Sequence, residues 1–445
     1  MELEDAAASQ PADLAQAAEE TAVLQTGFLA LLKSKDFFFL WIGQSVSSFG
    51  DKFTEIAIPI MIYNLTGSAL QLGLAFGVRL TANSIMGIVA GALSDRWNRR
   101  LTMIYADLAR ALLIFLLTLV PWLPVALPYK LGVLYTVLFV TGALRQLYVP
   151  AKVACIPQIV KPDQLMLANS LDQATMMIME FVGYGTAGLL SHFIGTGAAF
   201  GVDGLSFVFS AICIAQIALP AMKPTAGEQP KSSFVEDIAY GFRYVCKNAM
   251  LLRTLWLSLT APIALGVVST LVIVYSRRVF QAGDAGYGLI EALNALGLSV
   301  GLLILVNRLR DMRRDLFLTV GVIGMGIAWL LAFGIPPLLQ LVSSTPALWL
   351  AVAAPFLFFG GMANGAIFIG IRTIIQENAD SHIIGRAFSV ISVASTSAML
   401  VGALFAGLAD LVRVEFIVVS ASLILLLIGI VFYLSSAFRK APNPG

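Results

Sequence analysis

Asp51, Lys52 and Glu55 stand in the middle of an apolar stretch, and Arg79, Asp107, Arg110, Arg145, Glu180 and Glu291 stand in the stretches that follow. A charge at the centre of a bilayer-spanning helix costs about 2.5–3.5 kcal/mol on insertion scales, so each of these side chains needs a partner or a task. Asp51 and Glu55 are one helical turn apart and share a face. One reading is a protonatable pair bordering a central cavity, alternately neutral and ionised. The other is that Lys52 neutralises one of the two near the outer mouth. Arg79 falls near the middle of the second stretch and Glu180 near the middle of the fifth. A salt bridge from Arg79 to Asp51, Glu55 or Glu180 is expected, either fixed or broken when a ligand or proton arrives. Glu291 and Asn294 share a face of the eighth stretch, and Asn364 lies in a tenth one rich in glycine (Gly360, Gly361, Gly365, Gly370). Asn364 reads equally as a cavity contact or as a helix-packing hydrogen bond.

The elements that position these groups follow from composition. Of 445 residues, 58% are hydrophobic and 12% charged, with mean hydropathy +0.87. Soluble proteins carry about 25% charged residues, so the chain reads as an all-α membrane protein with many spans. A net charge of +2, with no basic helix face, argues against a nucleic-acid partner. Cys155, Cys213 and Cys246 form no Cys-x-x-Cys pair, and His192 and His382 are far apart, which argues against a disulfide framework or a metal site. No phosphate-binding Gly-x-x-x-x-Gly-Lys-Ser/Thr motif occurs, so ATP does not drive this chain directly. Gly183-Tyr-Gly-Thr-Ala-Gly188 has the spacing of a dinucleotide loop, but it lies within an apolar span with no strand before it. No nucleophile–base set emerges, and neither an enzyme nor a cofactor is expected.

Spanning helices need about 20 apolar residues each. Such runs occur near Phe37–Tyr63, Ala69–Leu93, Leu101–Pro121, Leu131–Val149, Leu165–Leu190 and Gly197–Leu219. Six more follow near Leu251–Tyr275, Tyr287–Val306, Leu316–Phe333, Leu348–Ile371, Gly385–Asp410 and Glu415–Ser435. The expected organisation is a cytoplasmic tail over 1–36, a six-helix bundle over 37–219 and a linker over 220–250. A second bundle over 251–438 and a short tail over 439–445 complete it. Within the linker, Phe234, Ile238, Phe242 and Val245 recur at helical spacing, predicting an amphipathic helix on the membrane surface. With both termini inside, one set of loops collects nearly all the lysine and arginine, while the opposite set holds Lys130, Arg277, Arg278 and Arg413. Basic loops stay cytoplasmic. The two halves also repeat: Val182-Gly-x-x-x-Ala-Gly-Leu189 returns as Val401-Gly-x-x-x-Ala-Gly-Leu408. Leu93-Ser-Asp-Arg96 returns, degraded, as Leu305-Val-Asn-Arg308.

The loop Gly91-Ala-Leu-Ser-Asp-Arg-Trp-Asn-Arg-Arg100 resembles the connection between helices two and three of major facilitator transporters. Gly50-Asp51, Leu65-Thr-Gly-Ser-Ala-Leu-Gln-Leu-Gly73 and Ala106-Asp-Leu-Ala-Arg-Ala111 extend the resemblance. So do Val149-Pro-Ala-Lys152, Ala168-Asn-Ser-Leu171 and Gly385-Arg386. They point to the branch that includes macrolide exporters and the enterobactin exporter. The resemblance implies a secondary active transporter of the inner (plasma) membrane, working by alternating access. It would exchange protons for a drug, macrolide or siderophore-like amphipath, as a monomer in the lipid bilayer. It places Asp95 at the start of span eleven, whose positive dipole end attracts a carboxylate while the cytoplasmic ends are closed. Arg96 and Arg100 brace that latch through acidic partners such as Asp107, with Gly91, Arg99, Arg110 and Arg145 in the same gating network. The bland alternative is a basic loop with a topological role alone. Asp203 reads as structural. Two departures stand out: Asn98 replaces the family's glycine, with its turn kept through asparagine's tolerance of left-handed geometry, and Gly183-Tyr184 replaces a Gly-Pro that the family links to export. A lipid or lysolipid flippase, a uniporter, and a transporter-like receptor without flux remain as alternatives.

Overall fold

The computed structural model describes residues 31–94, 97–218, 234–308, 313–380 and 383–437. Within hydrocarbon every backbone N–H must find its acceptor inside the segment, which leaves helices as the solution for runs of this composition. The first six helices are α1 (Lys35–Thr66), α2 (Ala69–Ser94), α3 (Arg99–Leu119), α4 (Leu127–Ile159), α5 (Leu165–Ile194) and α6 (Thr196–Ala215). After α7 (Phe234–Lys247) come α8 (Ala249–Arg278), α9 (Gly283–Arg308), α10 (Arg314–Leu339), α11 (Pro346–Asn378), α12 (Ile384–Phe405) and α13 (Val414–Ala437). A 3-10 turn, Ala406–Asp410, continues α12. The fold is all-α, and among the described residues nine helices are long and apolar enough to cross a membrane.

The expected run Leu131–Val149 underestimates α4, and Leu348–Ile371 underestimates α11. Past the apolar run, α4 continues for nearly three turns and α11 for about two, towards the basic end of the molecule. Hydropathy marks the buried length of a helix, whereas the hydrogen-bond ladder runs on through the polar residues. Asn98 also corrects an expectation. Its backbone is extended, φ −65° and ψ 109°, and its side chain accepts a hydrogen bond from the Leu101 N–H at 3.2 Å. It is the N-cap of α3, a role for which asparagine suits as well as any residue.

The pairings show the duplication directly. In the first half α1 packs on α5 and α6, α2 on α4, and α3 on α4 and α6. In the second half α8 packs on α12 and α13, α9 on α11, and α10 on α11 and α13. Each pairing recurs seven helix labels later. The halves meet along two seams, α5 against α9 and α2 against α12, which are themselves equivalent under the repeat. The repeated glycines explain this geometry. Gly183 sits against Lys52 and Phe49 of α1, and Gly402 against Ile263 of α8, each within its own half. Gly188 meets Gly288 of α9, and Gly407 meets Leu70 of α2, each across a seam. One motif therefore serves both intra-half and inter-half packing, because small residues let helix backbones approach closely.

The amphipathic α7 is pinned to the second half. Gly241 lies against the backbone of Arg386, whose guanidinium stacks 5.3 Å from the Tyr240 ring. Tyr244 accepts a hydrogen bond from the Asp380 N–H at 3.1 Å. Asn248 caps α8 by accepting from Met250 and Leu251, and it donates to the Asn378 carbonyl.

Candidate functional site

Between the halves, at mid-depth, lies a cavity of about 310 Å³. Its first-half wall carries Asp51, Thr54 and Glu55 of α1, Phe76, Arg79 and Asn83 of α2, Arg110 of α3, Thr141 and Arg145 of α4, Tyr184 of α5 and Phe207 of α6. The second half contributes Ser269 and Thr270 of α8, Tyr287 and Glu291 of α9, and Met399 of α12.

Glu55 is the hub of an ion cluster on the first-half wall. Its Oε2 accepts from Lys52 at 3.1 Å and from the Tyr184 hydroxyl at 2.6 Å. Its Oε1 accepts from Arg145 at 3.3 Å, and Arg79 stands 3.6 Å from the same oxygen. Lys52 is buried and reaches across to Glu180 at 3.3 Å. It also lies 4.9 Å from the centre of the Tyr184 ring. Gly183 makes this possible, since a Cβ there would come within 2.9 Å of the Lys52 stem. The expected Arg79 bridge thus goes to Glu55, with Arg145 beside it. Isolated, each charge would be costly at this depth; paired, they satisfy one another.

A second pair flanks the hub. Arg110 donates to Asp51 and stacks 3.9 Å from the Phe207 ring centre. Asp107, fully buried behind it, stands 3.8 Å from Arg110. Packing of α3 on α4 and α6 turns Arg110 inward to Asp51, so the pair expected to brace the basic loop is found at the cavity instead. Arg145 likewise serves Glu55 at the cavity instead of that loop. Asp95 and Arg96 lie outside the described residues, and Gly91 is in the last turn of α2. Arg99 donates to the Ala154 carbonyl at 2.9 Å, and Arg100 donates to the carbonyls of Ile214 and Ala215. Both tie the start of α3 to its own half. Asn364 is half-buried and does not line the cavity; its neighbours Gly361 and Gly365 pack against Asn294 and Leu298 of α9. Asp203 is buried, with Ser206 donating to its carbonyl and carboxylate.

Glu291 stands apart. It is half-buried on the second-half wall, and no cation lies within ion-pair distance of it among the described residues. Glu55, Arg79 and Lys52 are within electrostatic reach, and Tyr184 and Tyr287 share the wall. Sequence reading missed Tyr184 and Tyr287 as site residues. Each lies one turn from an acid already singled out, Glu180 and Glu291, and that spacing was the available signal.

The cavity is sealed at the end away from the basic loops. There Gly188 and Gly288 touch backbone to backbone, and Gly73 lies on the Ala403 carbonyl. Asp410, at the end of the turn after α12, accepts from the Ser68 hydroxyl and the Ala69 N–H at 2.6 Å each, and from the Leu70 N–H at 3.1 Å. A carboxylate of one half thereby caps the first helical turn of α2 in the other. Arg277 bridges Asp284 of its own half and the Asn64 side chain of the first, at 2.9 and 2.6 Å. Outside the α5–α9 seam runs a second, apolar cavity of about 660 Å³, lined by Phe181, Val182, Leu189, Phe280, Leu289 and Leu350 among others.

Two inward-facing solved structures share this fold. A bacterial homologue of the iron transporter ferroportin aligns with TM-score 0.63 at 16% identity, over 90% of this chain and 99% of that one. A bacterial homologue of the human lysosomal transporter Spinster aligns with TM-score 0.65 at 12% identity, over 92% and 98%. In sequence, Macrolide efflux protein A of Streptococcus pyogenes is 25% identical over 91% of this chain and 96% of its own length. The putative bacilysin exporter BacE of Bacillus subtilis is 24% identical over 71% and 74%. The Major Facilitator Superfamily model matches residues 40–403. Duplicated six-helix halves, a charged cavity between them and a match of that length leave one assignment: the chain belongs to the Major Facilitator Superfamily and is a multi-pass membrane transport protein.

Proposed function

We propose that this transporter exports a small amphipathic molecule across the plasma membrane in exchange for protons, by alternating access. The basic loops and both termini face the cytoplasm on this reading. The sealed end is then the outer one, and the molecule stands inward-facing. Glu291 carries the proposal. A proton arriving at Glu55 has to displace three cations and a hydroxyl, whereas at Glu291 it displaces none. Glu291 is therefore the exchange site, held in turn by a proton and by a donor group of the substrate, while Glu55 organises the wall. Efflux-named relatives support the direction. The latch at Asp95 belongs to the opposite, outward-open state. The protein works as a monomer in the lipid bilayer, with no nucleic-acid partner.

The test uses the full chain in proteoliposomes with a radiolabelled macrolide. An inward proton gradient should speed its countermovement several-fold, and a proton ionophore should abolish that gain. Glu291→Gln should keep macrolide exchange at equilibrium and lose the response to the gradient. A gradient response that survives in Glu291→Gln refutes the assignment. The apolar cavity beside α5 and α9 favours a second reading, a lysolipid flippase, which predicts movement of a labelled lysolipid between leaflets.

A further inference from the structure

The pole of the cavity built by α2 and α4 has donors to spare. Arg79 and Arg145 each bring five N–H donors. Their side chains are 40% and 38% exposed, and both line the cavity. Among the described residues they share one ion-pair partner, Glu55 Oε1, at 3.6 and 3.3 Å. That carboxylate also serves Lys52 and Tyr184, and a carboxylate offers about four lone-pair sites in all. Among the described residues, most of these guanidinium donors therefore meet no acceptor. The wall across from them is the reverse. Glu291 is acceptor-only when ionised and has no cation partner within ion-pair distance among the described residues. The lining also offers apolar surface at Ile58, Leu72 and Met399, beside the hydroxyls of Ser269, Thr270 and Tyr287.

We infer that the substrate is a zwitterionic amphipath, with a carboxylate docked on Arg79 and Arg145 and a protonated amine at Glu291. Guanidinium forks match a planar carboxylate in a bidentate manner, and Glu55 already presents that group to the same pair. The ligand carboxylate fills the donors that Glu55 leaves open, and the amine fills the acceptors of Glu291. The apolar body lies against the middle of the wall. A cavity of about 310 Å³ is at the small end of ligand pockets, which suits a compact molecule. The inference rests on the cavity being the substrate site, as proposed above. It adds the charge pattern that site selects.

Four relatives of one molecule separate the possibilities: 8-aminooctanoic acid, whose charges stand at opposite ends of its chain, its methyl ester, its N-acetyl derivative, and the N-acetyl methyl ester. They share one hydrocarbon chain and present both charges, the cation alone, the anion alone, or neither. Binding to the full chain in lipid nanodiscs is read by calorimetry. The zwitterion should bind about tenfold or more tighter than either singly charged relative, the scale set by one lost hydrogen bond to a charged group. The double variant Arg79→Gln, Arg145→Gln should bring the zwitterion down to the level of the methyl ester. Glu291→Gln should bring it down to the level of the N-acetyl derivative. Both variants should still unfold cooperatively in detergent, which shows that the bundle is still formed. Arg145→Lys, which keeps the charge but not the fork, should retain an intermediate preference. A methyl ester that binds as tightly as the zwitterion, or an arginine double variant that keeps the full preference, overturns the inference. Zwitterion binding without any flux in proteoliposomes overturns the exporter reading and leaves the charge pattern standing. Gradient-driven macrolide flux with no preference for the zwitterion does the opposite.

Discussion

Replacing Gly188 by alanine places a methyl group at the α5–α9 seam, where the two halves meet backbone to backbone. A Cβ on Gly188 would stand 2.6 Å from the Cα of Gly288 and 3.0 Å from the Asp284 carbonyl oxygen. Ordinary carbon–carbon contact is about 3.5–4.0 Å, so α5 and α9 must separate by about 1 Å. Backbone atoms cannot swing aside as a flexible side chain does. Overpacking of this kind costs about 1–3 kcal/mol. Because the clash exists only while the outer seam is closed, that energy acts on the balance between the two states. At about 1.4 kcal/mol per tenfold, the outward-open population rises about 5- to 150-fold. The assay is a spin-label distance across the outer end, with labels at Val125 of the first half and Val342 of the second, both exposed. Cys246, the exposed native cysteine, is first changed to serine. The expected result is a new, longer distance in Gly188→Ala. Gly201→Ala, where a Cβ meets nothing within 4 Å, should leave the distribution alone. An unchanged distribution in folded Gly188→Ala would refute the reasoning that this seam holds the outer end shut.

Two further outcomes follow from neighbouring features. Asp410→Ala removes the acceptor of three hydrogen bonds that cap α2 across the halves. Loss of a cap costs about 0.5–2 kcal/mol, so the same labels should report a roughly 2- to 30-fold gain of the open outer end. Asp410→Asn, which keeps one acceptor oxygen, should lie between, and equal distributions for all three proteins would remove the cap from the account. Lys52→Met strands Glu180 and takes one of three cations from Glu55. Breaking a buried ion pair from one side costs about 3–5 kcal/mol, and Glu55's remaining arginines hold the value to the lower figure. Thermal unfolding in detergent should show this loss and its partial recovery in Lys52→Met, Glu180→Gln; a single variant as stable as the wild type contradicts the cluster.

The sequence made the frame of the molecule readable because membrane helices declare themselves by local composition. The recurrence of Val-Gly-x-x-x-Ala-Gly-Leu also announced the duplication, and the structure shows why it persists: Gly183 and Gly402 do one job, Gly188 and Gly407 another. Asp51, Glu55, Arg79 and Glu291 could be picked out singly, since a charge in an apolar run is conspicuous. Which charge meets which was not readable. Arg110 and Arg145 sit on helices whose rotation about their own axes decides whether they face the loop or the cavity. That rotation is set by packing with other helices and not by local spacing. Tyr184 escaped notice for another reason: a tyrosine in an apolar span looks like bulk, and only its hydroxyl on Glu55 reveals its part. Asp410 was counted as the last residue of a span, and its meaning comes entirely from a helix some three hundred and forty residues earlier.

The glycine pair at the α5–α9 seam also bears on entropy. On the alternating-access reading proposed above, each transport cycle makes and breaks this seam once. A seam of long side chains would lose roughly 0.5–1.5 kcal/mol for every rotamer-rich side chain immobilised at closure. Gly188 and Gly288 have no rotamers to lose, and the surfaces they bring together are main chain, already ordered within its helix in either state. Closing the outer end therefore freezes little that was moving. In the exporter proposed above, this keeps the entropic cost of switching low, so that one proton or one bound molecule can decide between the two states.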